Sequence, residues 1–109
     1  MLSHQETMQL IDRAQQGDEQ ALSTLVQENT PLIKSVIKRY VGKSVEYDDL
    51  FQIGSLGFLK AIKNFDERFG VRFSTYAVPM IAGEVRRYLR DNSAIRVSRS
   101  IRDVAYKVL

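Results

Sequence analysis

The sequence has no cysteine and no tryptophan, and His4 is its only histidine. Without cysteine there is no disulfide, no thiol nucleophile and no thiolate for a metal. A lone histidine near the N-terminus leaves zinc binding and histidine-based catalysis almost nothing to work with. No apolar run approaches the ~20 residues of a membrane span. The N-terminal MLSHQETMQL lacks a basic stretch followed by an apolar core, the pattern of a secretory signal. The expectation is a cytoplasmic protein with no membrane partner, and a reducing compartment suits a cysteine-free chain. Phosphate-cradling glycine loops ending in Lys-Ser/Thr, GxSxG and HExxH are missing as well. The adjacent carboxylates Asp48 and Asp49 do not make an acid/base pair, because neighbours on a helix point about 100° apart. No catalytic residue, metal or cofactor is expected, and the chain does not read as an enzyme.

What is present is ordinary in amount and uneven in placement. A chain of 109 residues, 44% hydrophobic and 27% charged, is one domain by size with room for a modest core. The net charge of +3 says little, but its distribution says more. Residues 1–83 hold nine Lys/Arg against ten Asp/Glu, whereas residues 84–109 hold seven against three. A basic end can be a solvated helix face or the electrostatic footprint of a nucleic-acid binder.

Helical periods run along the chain. Met8, Leu10, Ile11 and Ala14 form the first stripe, closed by Gly17, and Asp18 is a natural N-cap for a second helix over Glu19–Gln27. Thr30-Pro31 pairs a capping hydroxyl with proline at the first helical position. The helix that follows puts Leu32, Ile33, Val36, Ile37, Tyr40 and Val41 on one face and stops at Gly42. Ser44 opens the next, with Glu46, Asp48 and Asp49 in its first turn, where the helix dipole favours negative charge. Gly54 and Gly57 each cost about 1 kcal/mol against alanine inside that helix, which points to close approach by another helix, from within the domain or from a partner. Asn64–Arg72 reads as a loop.

The stretch Phe73–Asn92, FSTYAVPMIAGEVRRYLRDN, combines two chemistries. Its first half carries Phe73, Ser74, Thr75 and Tyr76, and its second half Arg86, Arg87 and Arg90. Aromatic rings stack on bases, and arginines hold phosphates or read guanine edges. Ser74 can cap this helix, Pro79 removes one of its hydrogen bonds, and Asp91-Asn92-Ser93 reads as its end. Ile95–Arg99 then looks extended, and a last helix starts near Ser98 or Ser100 and is still running at Leu109. The expected fold is all-α, a compact bundle of five or six helices. The expected domains are residues 1–97 and, over residues 98–109, the start of a truncated following region.

The run Asp48-Asp49-Leu50-Phe51-Gln52-Ile53-Gly54-x-x-Gly57-Phe58-x-Lys60-Ala61, then Phe65-Asp66, then Gly70-x-x-Phe73-Ser74-Thr75-Tyr76-Ala77 closely resembles region 2 of the bacterial sigma-70 family. The resemblance covers about residues 27–100. Its continuation through Pro79-Met80, Arg86-Arg87 and Ile95–Ser100 is most similar to the sporulation members of that family, types F and G, with G slightly favoured. It implies a domain, with the fold of sigma region 2, that binds core RNA polymerase and recognises and helps melt the promoter −10 element, for sporulation genes. Asp48, Asp49, Gln52, Ile53, Ser55 and Leu59 would then dock on the β′ clamp coiled coil. Phe73, Thr75 and Tyr76 fall on the melting segment, with Tyr76 replacing a base flipped from the non-template strand. Asn29, Leu32 and Ser74 match a second pocket for a flipped base. Arg86, Arg87 and Arg90 would hold the upstream −10 duplex, and Arg96, Val97, Ser98 and Arg99 would lie near the spacer DNA. An anti-sigma factor is a further partner of this kind of domain. The departure is at Pro79-Met80, where primary members carry a tryptophan wedge; Met80 then faces the DNA in its place. The readings to be separated from this one are a helical DNA-binding regulator and an anti-sigma-binding interaction domain, both acting without polymerase.

Overall fold

The computed structural model describes residues 2–42 and 45–108, with side chains as far as residue 91. Among the described residues there are α-helices and short 3-10 turns and no strand. Short polar residues set the first breaks. Ser3 caps α1 (His4–Gln15) by a capping box: its Oγ accepts from the Glu6 N–H at 3.1 Å, and Glu6 Oε1 accepts from the Ser3 N–H at 3.2 Å. Gly17, at φ 103°, takes the left-handed turn that ends the helix. Asp18 Oδ1 then accepts from the Gln20 and Ala21 N–H groups and starts α2 (Glu19–Glu28). The sequence anticipated this Gly17-Asp18 junction; the capping box at Ser3 was not anticipated.

Thr30 behaves differently from expectation. It lies inside α3 (Thr30–Ile37), and its hydroxyl donates back to the Val26 carbonyl at 2.9 Å instead of capping forward. Asn29 is the N-cap residue, and no side chain caps this end. The α-helix also stops short of Val41, tightening into a 3-10 turn at Lys38–Tyr40 before Gly42. Next comes α4 (Tyr47–Asn64), whose N-cap is Glu46; the expectation that Ser44 opens it lies outside the described residues.

A second 3-10 turn, Glu67–Phe69, leads through Gly70 at φ 71° into α5 (Phe73–Val108). Ser74 sits in the first turn of α5, where the Tyr76 N–H donates to the Arg72 carbonyl. The helix runs through Pro79 and also through residues 91–93, where a stop was expected. From Glu84 onward the sequence holds neither proline nor glycine, and Asp, Asn and Ser each disfavour a helix interior only modestly. Residues 95–99 are therefore helical, not extended.

The core lies where α2, α3, α4 and α5 meet: Leu25, Ile33, Ile37, Leu50, Phe58, Ile81 and Val85 are fully buried. The most extensive contact is α4 against α5. The two glycines of α4 make it possible, and the close approach they signalled is internal. A Cβ on Gly57 would stand 2.8 Å from both the Ile81 Cα and the Met80 carbonyl oxygen of α5. One on Gly54 would stand 2.8 Å from Ile37 Cγ2 of α3. α1 braces the far end of α4, where Gln15 Nε2 donates to the Ile62 and Phe65 carbonyls at 2.9 and 2.8 Å.

Candidate nucleic-acid interface

Helix α5 buries Phe73, Ala77, Ile81, Ala82 and Val85. At 3.6 residues per turn the opposite side is one continuous stripe: Thr75, Tyr76, Pro79, Met80, Gly83, Arg86, Arg87 and Arg90. Thr75, Pro79 and the three arginines are exposed, and Tyr76, Met80 and Gly83 are half-buried. The aromatic and basic halves seen in the sequence thus share a face, with Tyr76 and Arg90 about 21 Å apart along the axis. Arg87 lies 4.0 Å from Glu84 Oε1, and the Arg90 Nε donates to Asp91 at 3.2 Å; Arg86 has no ion pair among the described residues. Glu84 itself is held by Lys60 of α4 at 2.6 Å.

Phe73, counted from the sequence among the DNA-contacting residues, is a core ring. It is only 2% exposed and meets Phe58 and Phe65 edge-on at 5.5 and 5.3 Å. Its part is to seat the segment. Tyr76 is half-buried, tilted against Phe65 and Phe69, each with centroids 5.4 Å away. Sequence reasoning passed over Phe69, although the spacing Phe65, Phe69, Phe73 in FDERFGVRF was visible.

The loop that carries Phe69 is pinned by Asp66. Its carboxylate accepts the Arg68 N–H at 2.8 Å and a bidentate contact from the Arg68 guanidinium, 2.7 Å at the nearest. The Arg68 guanidinium and backbone N–H together hold the Asp66 carboxyl down at about 2, from the usual 3.8. The same pairing raises Arg68.

Asn29 and Ser74 do come together, at a small open cavity of about 130 Å³. Leu32 is not part of its wall and packs instead on the core. Leu2 and, at the start of α1, His4 and Thr7, together with Glu28, Arg72 and Phe73, complete it. Sequence reasoning missed the α1 residues because they precede the stretch that carries the motif. Asn29 commits its Nδ2 to the Leu25 carbonyl at 2.8 Å.

A second surface runs along α4. Asp48, Asp49 and Gln52 are exposed near its start, and Leu56 and Leu59 follow at helical spacing, 42% and 36% exposed. Leu56 was not singled out from the sequence. Ile53 is half-buried against the core. Ser55 is half-buried too, and its Oγ is enclosed without a hydrogen-bond partner among the described residues. Two acids, an amide and two leucines on one helix face form a surface suited to a basic and apolar partner helix. The side chains of Arg96, Val97, Ser98 and Arg99 lie outside the described residues, as does the proposed boundary at residues 97–98 in its side-chain detail.

Residues 25–95 match the family described as Sigma-70 region 2. The RNA polymerase sigma-G factor of Bacillus subtilis (strain 168) is 53% identical over 110 residues, covering 100% of this chain and 42% of the relative. The RNA polymerase sigma-F factor of Priestia megaterium is 48% identical over 107 residues, 98% of this chain and 42% of the relative. A putative RNA polymerase sigma-G factor of Bacillus thuringiensis subsp. kurstaki is 52% identical over 107 residues, and there the match spans 86% of the relative. The chain therefore spans less than half the length of the first two.

Proposed function

Because this chain belongs to the sigma-70 family, matched through region 2, we propose that it binds core RNA polymerase and recognises and helps melt the promoter −10 element in transcription initiation. The genes served are those of sporulation, in keeping with the sigma-G and sigma-F factors it is similar to. The observation that carries this reading is the single face of α5 on which Tyr76 and Arg86–Arg90 lie together. Tyr76 takes the place of a base drawn from the non-template strand, and the arginines grip the adjoining duplex. The α4 stripe from Asp48 to Leu59 docks on the β′ clamp coiled coil, with Asp49 and Gln52 making the polar contacts. The cavity at Asn29 and Ser74 receives a second unpaired base. An anti-sigma factor competes for these surfaces.

Opening DNA in this way needs no nucleotide hydrolysis. Stacking a base on an aromatic ring is worth about 1–3 kcal/mol, similar in size to unstacking it from its neighbours. A free-standing DNA-binding regulator has no use for an exposed acidic and leucine-bearing α4 face, and that face favours the polymerase reading over it.

The test is binding of the chain to a β′ coiled-coil peptide and to single-stranded non-template −10 DNA. Asp49→Ala and Gln52→Ala are expected to weaken the first and spare the second, and Tyr76→Ala the reverse. No peptide binding by the unmutated chain rules out the docking assignment. Unchanged DNA affinity in Tyr76→Ala rules out base capture.

A further inference from the structure

Phe69 is 50% exposed, more than any other large apolar side chain among the described residues. It is nonetheless held in place. The Phe69 N–H donates to the Asp66 carbonyl at 2.9 Å, and the Asp66–Arg68 clasp fixes the same turn. The ring meets buried Phe65 edge-on at 5.9 Å and lies 5.4 Å from Tyr76 at an interplanar angle of 37°. A turn braced from both sides thus presents a phenyl ring to water directly beside the proposed base-capturing tyrosine. Core packing does not require that: Phe65 already packs edge-on with Phe73 and in tilted contact with Tyr76.

We propose that Phe69 is a second base-stacking residue, whose open ring face takes the unpaired DNA base next to the one captured at Tyr76. The inference rests on the base-capture reading of Tyr76 and extends it to the neighbouring nucleotide. The two rings do not form a slot for one base, since a sandwiched base needs parallel walls about 7 Å apart, twice the optimal carbon–carbon separation. They are adjacent platforms inclined to each other, which suits successive bases of one strand. Adjacency to Tyr76 favours a nucleic acid over an apolar protein segment. Arg72, exposed and without an ion pair among the described residues, offsets the exposed Glu67 of the same turn.

The experiment measures affinity of the 109-residue chain for fluorescently labelled single-stranded non-template −10 DNA, intact and with single abasic positions. The variants are Phe69→Leu, Phe69→Trp and Tyr76→Leu, each checked for folding by its thermal transition. Phe69→Leu keeps an apolar contact to Phe65 and removes the stacking face; it is expected to weaken binding ~5-fold or more. Phe69→Trp is expected to bind at least as tightly as the unmutated chain. One abasic position should erase the Phe69→Leu defect, and the adjacent position should erase that of Tyr76→Leu. If Phe69→Leu binds normally while Tyr76→Leu is weakened, the inference fails and base capture at Tyr76 stands. If both bind normally, or the unmutated chain binds no single strand, the reading of Tyr76 fails first and takes this inference with it. A Phe69→Leu defect equal on every abasic strand marks a structural role and overturns the inference.

Discussion

Substituting Gly57→Ala tests the packing that sets α4 against α5. The new Cβ would lie 2.8 Å from the Ile81 Cα and from the Met80 carbonyl oxygen, and 3.1 Å from Glu84 Cγ. Carbon atoms pack best at about 3.5–4.0 Å, so relief requires α5 to move by several tenths of an ångström or more. The first two obstacles are backbone, and no rotamer change removes them. Overpacking of this kind costs about 1–3 kcal/mol, and alanine returns about 1 kcal/mol of helix propensity. With backbone on the opposing side the cost falls in its upper part, which leaves a net loss of about 1–2 kcal/mol. For a domain of this size that is a fall in Tm of about 4–16 °C. Gly54→Ala has as its nearest neighbours the Cγ2 methyls of Ile37, Ile33 and Ile81, at 2.8, 3.1 and 3.4 Å, and because these buried β-branched side chains are stiff at χ1 a loss is expected there too. The assay is thermal unfolding followed by circular dichroism, with β′-peptide binding measured below the transition. The exposed α4 face is untouched, so peptide affinity should hold in both variants. A Gly57→Ala protein that melts at or above the unmutated temperature refutes the reasoning.

Gly83→Ala is the complement: a Cβ there meets nothing within 4 Å, so the helix should gain about 0.5–1 kcal/mol, and a rise in Tm with weaker duplex binding would place DNA backbone against that position. Asp66 supplies a pH prediction. Its folded-state carboxyl titrates at about 2, below the ordinary 3.8, so its contribution is present above pH ~4 and is lost as pH falls through about 2. Arg68→Ala should return the Asp66 titration, followed by NMR, toward its ordinary value. Unchanged titration would show that Arg68 is not the cause. Arg86→Ala should weaken duplex −10 binding and, for a phosphate contact, lower the slope of log affinity against log salt by about 1. Loss of sequence preference at an unchanged slope would assign it to a base edge instead.

The parts of this fold legible in the sequence are those decided within a few residues. Gly17 and Asp18 settle where α1 ends and α2 begins, because a left-handed turn and a carboxylate reaching two N–H groups are both local. The paired glycines of α4 announced a close contact, yet whether its other side was this chain or a partner depends on α3 and α5 arriving from elsewhere. Thr30 misled for a related reason: its hydroxyl had two backbone choices, and the carbonyl behind it was within reach. The assumed stop at residues 91–93 rested on residues that only weakly disfavour a helix, with no glycine or proline to enforce it. At the site, Tyr76 and the three arginines were legible from residue type and spacing. The exposure of Phe69 and the α1 wall of the Asn29 cavity were not, since each depends on contacts between distant segments.

The absence of tryptophan bears on how such a chain would open DNA. Where primary members of the family resemblance carry a wedge, this chain has Pro79-Met80, and the Met80 carbonyl is pressed against Gly57 of α4. That part of α5 is therefore anchored to α4 and presents no large ring. On the proposed function, opening would then be driven by capture of the unpaired strand. One stacked base, at about 1–3 kcal/mol, no more than balances the few kcal/mol of unstacking. On the proposed roles, a second ring at Phe69 would move the balance toward the open state, and the cavity at Asn29 and Ser74 would add to it. Opening would thus depend on several modest captures in series. A promoter base that fits poorly at any one of them should cost more here than in a factor with a wedge. Permanganate footprinting of promoters altered one base at a time, with polymerase carrying this chain, should then show opening collapse at single positions within the −10 element. Graded, position-independent losses would mean that the driving force lies elsewhere.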